Sequence, residues 1–161
     1  MIQAILACDG RGGIARNGVM PWPRNELDLR HFRDLTRGAA VVMGRGTWEA
    51  DDMPSPLPGR TNVVVTRDHD YTADGAVIIH DNLEEHLTNL AKEHTLFIIG
   101  GAGLFSRLID SIDQLHLTRI AGDYNCDTFL PLEQIARRFE VIETITLDEN
   151  TVVETHVARN G

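Results

Sequence analysis

The stretch FIIGGAGLF (residues 97–105) runs from an apolar segment through a glycine turn into a second apolar segment. Three apolar residues precede Gly100, as in a strand that is buried on both faces, and the segment after the turn has its apolar residues at helical spacing. A strand, a short turn and a helix in this order form the repeating unit of α/β proteins. The stretch therefore predicts an α/β fold.

Similar units occur on both sides of this stretch. The segment VMGRGTW (residues 42–48) again joins an apolar strand to a glycine turn that can start a helix. Strands are predicted at residues 2–8, 39–44, 61–66, 76–80, 95–100, 114–120, 139–147 and 151–158, and further helices at 25–38, 83–93 and 103–112. The last two strands are separated only by DEN, which indicates an antiparallel hairpin. We expect one domain over residues 1–161, with a mixed, mostly parallel central sheet, an antiparallel C-terminal hairpin and about four flanking helices.

Composition narrows the function. A chain of 161 residues with 42% hydrophobic and 24% charged residues is typical of one soluble domain, and it has no apolar run near the roughly 20 residues that span a bilayer. A net charge of -9 disfavours binding to nucleic acid.

Cys8 and Cys126 are interpreted as small buried residues, and the dispersed histidines predict no metal site. Met1 begins no signal peptide, so we expect a cytoplasmic protein, and a monomer because one such domain can bury its own core.

The glycine turns suggest a phosphorylated ligand. Residues 100–103 and 44–47 each follow a strand, where backbone N–H groups can meet an anion, although a tight strand-to-helix turn explains the same pattern. Arg45 and Arg67 add positive charge at strand ends, and open α/β sheets bind ligands at that edge. By contrast, GRGGIA (residues 10–15) is not a dinucleotide fingerprint, because Pro21 and Pro23 prevent a helix. We interpret residues 9–23 as a mobile loop over a ligand or a plain surface loop.

Asp28 is out of place in the helix predicted at residues 25–38. Leu29, Phe32 and Leu35 form its apolar stripe, and Asp28 shares that stripe at position i-4 from Phe32. A carboxylate there has either local partners in the core or a ligand to bind.

The order of several short motifs resembles the dihydrofolate reductase family. These motifs are MPW, DLxxF, MGRxTWE, PLPGR, FIIGG, LTRI and DTFLP, and they cover nearly the whole chain. Any one of them is weak, whereas all of them in order are specific. The resemblance implies reduction of 7,8-dihydrofolate to tetrahydrofolate with NADPH, which supports one-carbon metabolism.

The resemblance also implies roles for individual residues. Asp28 would bind the pterin ring and assist protonation of N5, Arg60 would pair with the carboxylate of the glutamate tail, and Met20 with Trp22 would close over the nicotinamide. The implied catalytic residues are Asp28, Met20, Trp22 and Thr118. The implied substrate contacts are Ile5, Ala7, Asp28, Leu29, Phe32, Leu57, Arg60, Ile99 and Thr118. The implied NADPH contacts are Ala7, Ile14, Ala15, Asn17, Gly18, Met20, Gly44, Arg45, Gly46, Thr47, Thr66, Arg67, Ile99, Gly100, Gly101, Ala102, Gly103, Leu104, Phe105 and Thr128.

The sequence departs from the family pattern at a few positions. Ala15 replaces a usual glycine, Phe105 replaces a frequent tyrosine, and the loop EADDMPSPLPGR (residues 49–60) is long, which blurs whether Met53 or a neighbour lines the substrate tail. Two other functions stay open: a reductase of a pyrimidine ribityl intermediate, and a noncatalytic nucleotide-binding protein with this fold. Asp28 and Arg60 disfavour both. The group that delivers the proton to N5 is not decided by the sequence.

Overall fold

An eight-stranded sheet forms the centre of the fold in the computed structural model, which describes residues 1–159. The strands are β1 (Ile2–Cys8), β2 (Gly13–Ala15), β3 (Ala40–Gly44), β4 (Thr61–Val65), β5 (Ala76–Ile79), β6 (Leu96–Gly100), β7 (Gln114–Ile120), β8 (Thr128–Phe129), β9 (Phe139–Asp148) and β10 (Thr151–Ala158). The order in the main sheet is β5-β4-β3-β6-β1-β7-β10-β9, and β2 pairs with β8 in a separate small sheet. The first six strands of this order, from β5 through β1 to β7, run parallel. β10 is antiparallel to both β7 and β9. The predicted mixed sheet with its antiparallel C-terminal hairpin is confirmed.

Helices cover the sheet on both sides. They are α1 (Glu26–Thr36), α2 (Arg45–Trp48), α3 (Leu83–Glu93), α4 (Ala102–Leu108) and α5 (Leu132–Arg138), and a 3-10 helix covers Ile109–Ser111. Helix α1 begins where the Asn25 side chain accepts a hydrogen bond from the Asp28 amide at 3.0 Å, an N-cap contact. Within residues 1–159, no helix is long and apolar enough to cross a membrane.

The two faces of the sheet are buried to different degrees. On one face, Leu83 and Leu87 of α3 and Phe105 of α4 are almost fully buried in the main core with residues of β1, β6 and β7. On the other face, α1 buries only Thr36 completely, while Phe32 and Leu35 are half-buried against smaller clusters. The apolar stripe of α1 is therefore only partly covered, and the partly open surface along Asp28, Phe32 and Leu35 is called the cleft.

Three short elements differ from the sequence prediction. The loop after β1 is not wholly irregular, because Gly13–Ala15 pairs with Thr128–Phe129. Helix α5 was not predicted, so residues 1–159 contain five α-helices where about four were expected, and the helix predicted at residues 103–112 ends at Leu108 before the 3-10 turn. Two- and three-residue strands and a seven-residue helix are too short to show a clear hydrophobic period.

Candidate active site

Asp28 lies at the wall of the cleft between α1 and β7. The Thr118 hydroxyl of β7 donates a hydrogen bond of 2.6 Å to Asp28 Oδ1, and the Asp28 side chain is half-buried. Burial raises the pKa of Asp28, and this outweighs the lowering effects of the Thr118 hydrogen bond and of His31. Asp28 is thus a carboxylate with a single side-chain donor, and it retains capacity to accept hydrogen bonds.

Apolar residues lie on the strand next to Thr118, the hydrogen-bond partner of this carboxylate. Ile5 of β1 is 4% exposed, and Phe32 and Ile99 pack against the cluster to which it belongs. Ala7 is the register partner of Thr118 on the neighbouring strand. The structure therefore brings Asp28 and Thr118 together beside an apolar cleft, a setting in which a flat ring with polar edges can bind.

Arg60 lies beside Phe32, which is four residues further along α1 than Asp28. Its guanidinium carbon is 5.9 Å from the centre of the Phe32 ring, and within residues 1–159 its buried Nε has no hydrogen-bond partner. Burial lowers the pKa of Arg60, and the nearby Arg33 and Arg37 lower it further. A partly buried guanidinium in a positive field, with a donor left over, favours an incoming carboxylate.

The loop that carries Arg60 is fixed by one amide side chain. Asn62 Oδ1 accepts a hydrogen bond from the Leu57 amide at 2.9 Å, and Asn62 Nδ2 donates to the Leu57 carbonyl at 3.0 Å and to the Arg60 carbonyl at 3.2 Å. Leu57 and Asn62 are both buried. The long loop is therefore anchored immediately before β4.

Two glycine turns meet at the carboxyl edge of the sheet. β3 and β6 are neighbours, so the turns that lead into α2 and α4 lie side by side. A Cβ atom placed on Gly44 would lie 3.9 Å from the Gly101 nitrogen, and one on Gly100 would lie 3.4 Å from Thr47 Oγ1. Gly100 also has a φ of +129°, which favours glycine. Among the described residues, no side chain caps either helix, so the first amides of α2 and α4 are available to phosphate oxygens.

Arg45, beside these turns, is already paired. Its guanidinium lies 3.2 Å from Glu49 Oε2 and 3.3 Å from Asp68 Oδ2, and it stacks 4.3 Å from the centre of the Tyr71 ring. Arg67 is exposed. The predicted positive patch therefore contains two carboxylates that the sequence did not indicate.

The loop between β1 and α1 is tied to the loop before β8. The Asn17 amide donates to Asp127 Oδ2 at 2.8 Å, and the Asp127 amide donates to the Ala15 carbonyl at 2.9 Å. Trp22 is 8% exposed, with its ring edge-on to Tyr124 at 6.1 Å, whereas Met20 is 43% exposed. The predicted closing loop is thus an ordered structure that a second loop supports.

The remaining predicted cofactor residues fall into two groups. Residues at the glycine turns or in the tied loop are Ile14, Gly18, Gly46, Ala102, Gly103 and Leu104, whereas Thr66 follows β4 and Thr128 begins β8. Phe105, however, has a fully buried side chain in the main core, so a role in cofactor binding remains a prediction only for its backbone. Cys8 is buried as expected, but Cys126 is only half-buried and its thiol contacts Asp9.

The sequence prediction missed the acidic residues that organise the loops. Asp9 and Asp127 accept backbone hydrogen bonds, and Glu49 with Asp68 pairs with Arg45. Of these four residues, only Asp9 has a sequence pattern that could have indicated its role. It directly follows the apolar strand β1, and three glycines lie within the next four residues. The other three lie in polar loops, where an acidic residue is ordinary.

Comparisons with known proteins agree with this geometry. The family model of dihydrofolate reductase matches residues 1–159. A type 8 dihydrofolate reductase of Escherichia coli is 34% identical over 148 residues, covering 86% of this chain and 85% of that protein. The dihydrofolate reductase of Mycobacterium leprae is 38% identical over 133 residues, covering 81% and 74% of the two chains.

A solved structure matches almost completely. The dihydrofolate reductase from Enterococcus faecalis, complexed with NADP(H) and RAB-propyl, superposes with a TM-score of 0.88 at 34% identity and covers 99% of this chain and 97% of its own. A family match over residues 1–159, relatives above 30% identity and a shared fold agree with one another. The chain belongs to the dihydrofolate reductase family.

Proposed function

We propose that this chain reduces 7,8-dihydrofolate to tetrahydrofolate with NADPH, and that Asp28 and Arg60 recognise the two ends of the substrate. Family membership supports the reaction. The assignment of residues is supported by two polar groups in the cleft, the Asp28 carboxylate and the Arg60 guanidinium, that are under-satisfied because they have fewer hydrogen-bond partners than they can bind. Asp28 has a single side-chain donor, and the buried Nε of Arg60 has no partner among the described residues.

Asp28 binds the polar edge of the pterin ring. An ionised carboxylate offers two oxygens, and Thr118 uses one lone pair of Oδ1. The 2-amino group and N3–H of the pterin form a matching pair of donors, and their charge-assisted hydrogen bonds offset the burial that raises the pKa of Asp28. Leu29, Phe32, Ile5, Ala7 and Ile99 provide the apolar contacts to the ring.

Arg60 pairs with the α-carboxylate of the glutamate tail. Its planar guanidinium suits a carboxylate better than a lysine ammonium does. Leu57 is buried on the same side of the sheet as Phe32, in one apolar cluster, and so borders the path between the ring and the tail. Substrate recognition is therefore divided between a carboxylate for the ring and a guanidinium for the tail.

The glycine turns and the tied loop form the NADPH site. The backbone amides at the starts of α2 and α4 approach phosphate oxygens without interference from side chains, and Arg45, Thr47, Thr66 and Arg67 surround this edge. Bound there, NADPH supplies the hydride that reduces C6 of the pterin. Met20 and Trp22, which lie in the loop after β1, exclude bulk water from the reacting atoms.

Asp28 assists proton transfer to N5. By accepting hydrogen bonds from the 2-amino group and N3–H, the carboxylate increases electron density on the pterin ring and makes N5 a better proton acceptor. Water entering the cleft delivers the proton.

We further propose that the protein acts as a cytoplasmic monomer without nucleic acid. The net charge of -9 supports the absence of a polyanionic partner. Light scattering at several protein concentrations tests the monomer, since a dimer doubles the mass.

One assay separates the proposed function from its alternatives. Oxidation of NADPH by the protein is followed by absorbance in three mixtures: with dihydrofolate, with a pyrimidine ribityl intermediate, and with neither compound. Oxidation that requires dihydrofolate supports the proposal. Oxidation only with the ribityl compound indicates the related reductase, and NADPH binding without turnover on either compound indicates a noncatalytic nucleotide-binding protein.

A further inference from the structure

Asp9 is a fully buried carboxylate at the base of the loop between β1 and α1. It is 0% exposed, and it directly follows Cys8, the last residue of β1. No salt bridge to Asp9 is present within residues 1–159, and its partners are three backbone amides and one thiol. A buried charge without a cation requires such donors, because desolvation otherwise makes the ionised form unfavourable.

Each carboxylate oxygen serves a different loop. Oδ1 accepts from the amides of Arg11 at 3.0 Å and Gly13 at 2.9 Å, both in the loop after β1. Oδ2 accepts from the Tyr124 amide at 3.0 Å and the Cys126 thiol at 3.5 Å, both in the loop between β7 and β8. The side chain therefore joins two loops that are more than 100 residues apart in sequence.

The protonation states agree with this arrangement. Burial raises the pKa of Asp9, but the amides of Tyr124, Gly13 and Arg11 together outweigh it, so the pKa lies below its usual range. Burial and the negative charge of Asp9 raise the pKa of Cys126 to about 11, so the thiol keeps its proton and donates it. The packing is also tight, because a Cβ on Gly13 would lie 2.5 Å from Cys126 Sγ.

The joined loops lie beside the proposed nicotinamide site. β1 is the parallel neighbour of β6, so the loop after Cys8 leaves the sheet at the edge where Gly100 and Gly101 turn into α4. Further along, this loop carries Met20 and Trp22, and Trp22 packs on Tyr124, whose amide is bound by Asp9. A change at Asp9 is therefore transmitted to the residues that cover the reacting atoms.

We propose that Asp9 is a positioning residue for hydride transfer: its carboxylate holds the loop after β1 against the loop before β8 and so keeps the nicotinamide half of the cofactor covered. The inference rests on the proposed placement of NADPH. It requires no contact between Asp9 and either ligand. It also gives the two oxygens separate tasks, which an amide cannot reproduce.

The test compares Asp9→Asn with Asp123→Asn. The exposed Arg11–Asp123 pair, at 3.4 Å, links the same two loops, so Asp123→Asn makes the same chemical change without a buried acceptor. In Asp9→Asn, the new NH₂ group faces either the amides of its own loop or Tyr124 and Cys126, and one loop loses its acceptor. We expect single-turnover hydride transfer to fall about 10- to 100-fold in Asp9→Asn and to stay within about twofold of wild type in Asp123→Asn.

Ligand binding distinguishes positioning from simple loss of stability. At a temperature well below both melting points, Asp9→Asn should bind NADPH about tenfold more weakly but bind 2′,5′-ADP, which lacks the nicotinamide, as the wild type does. Amide hydrogen exchange should also increase in residues 9–20 and 121–128 while β6 stays protected. Equal weakening of both ligands, or hydride transfer equal to that of Asp123→Asn, would overturn the proposal.

A second pair of variants keeps the test decisive if Asp9→Asn fails to fold. Cys126→Ala removes only the thiol donor and should lower hydride transfer about two- to fivefold, and Cys126→Ser should restore it, because a hydroxyl donates to the same oxygen. Equal rates in these two variants would contradict the role of Asp9. Failure of the wild type to oxidise NADPH with dihydrofolate would instead reject the proposed function.

Discussion

Asp28 and Asp9 are two carboxylates in dry surroundings whose pKa values move in opposite directions. Burial raises the pKa of Asp28, whose one side-chain donor within residues 1–159 is the Thr118 hydroxyl. Burial also raises the pKa of Asp9, but its backbone donors reverse the effect. The number of donors, and not burial alone, decides the charge state of a carboxylate. Asp9, which accepts several hydrogen bonds, organises the protein. Asp28, which accepts few, is available to a ligand.

The two arginines of the site differ in the same way. Arg60 has a buried Nε without a partner among residues 1–159, and it repels Arg33 and Arg37. Arg45 instead lies between Glu49 and Asp68 and stacks on Tyr71. The charged side chains of the proposed substrate side, Asp28 and Arg60, therefore have fewer hydrogen-bond partners than they can bind, whereas Arg45 on the proposed cofactor side is paired with carboxylates. Substitutions on the two sides should differ in their effects on ligands and on stability.

The largest expected effect is on the substrate side, in Asp28→Asn. The amide keeps the shape and can still accept a hydrogen bond from the Thr118 hydroxyl, but it removes the charge that we propose polarises the pterin. Hydride transfer at neutral pH should fall roughly 10² to 10⁴-fold, the usual range for acid catalysis. The rate of the variant should then rise as the pH falls, because more substrate arrives already protonated. Single-turnover measurements from about pH 5 to 8 test both points.

The control for this experiment is Asp34→Asn. Asp34 is exposed on the same helix, 3.4 Å from Arg37, so its loss should leave hydride transfer nearly unchanged. A near wild-type rate in Asp28→Asn would refute a catalytic role. A large loss that does not vary with pH would assign Asp28 to orienting the substrate and remove it from proton delivery.

The second prediction concerns the other under-satisfied group, in Arg60→Leu. A charge-assisted pair with a carboxylate contributes about 1.5–3 kcal/mol, so binding of dihydrofolate should weaken about 10- to 100-fold. A dihydropterin without the glutamate tail should lose little. Affinities for both compounds are measured by fluorescence titration, with exposed Arg30→Leu on α1 as the matched control. Equal losses for the two compounds would indicate that the loop before β4 has collapsed.

The same contrast explains what the sequence could predict. The parallel strands, α1, α3 and the glycine turns follow from hydrophobic period and from turn residues that lie close together in the chain. Asp28 was recognisable because it breaks the apolar stripe of α1. The partners of Asp9 lie more than 100 residues away, and the pairing of Arg45 with Asp68 joins two polar loops, so no local pattern indicates either contact. Asp28 is an anomaly in the sequence, Arg60 was assigned only through the family resemblance, and the pairings of Asp9 and Arg45 depend on tertiary contacts.

The third prediction moves to the cofactor side, in Arg45→Ala. If Arg45 binds the 2′-phosphate, the preference for NADPH over NADH in kcat/KM should fall about tenfold. The effect should be smaller than that of Arg60→Leu, because Glu49 and Asp68 already neutralise part of the positive charge. Arg107→Ala, an exposed arginine on α4, serves as control. An unchanged ratio in Arg45→Ala would remove this residue from cofactor discrimination.

The smallest expected effect is on stability, and it should have opposite signs at the two carboxylates. The folded-state pKa of Asp28 is raised, so its charged form destabilises the fold above that pKa and the penalty disappears in acid. The folded-state pKa of Asp9 is lowered, so its stabilisation is complete above the ordinary carboxyl pKa and is lost as the pH falls through the folded value.

Near neutral pH, Asp28→Asn should therefore raise Tm and Asp9→Asn should lower it, each by about 2–4 °C for a change near 1 kcal/mol in a chain of this size. Both differences should shrink below about pH 4, where carboxylates in the unfolded chain become protonated. Calorimetry of the two variants and the wild type, without ligands and across this pH range, measures them. Tm shifts of the same sign in the two variants would mean that the number of hydrogen-bond donors does not decide how each carboxylate affects stability.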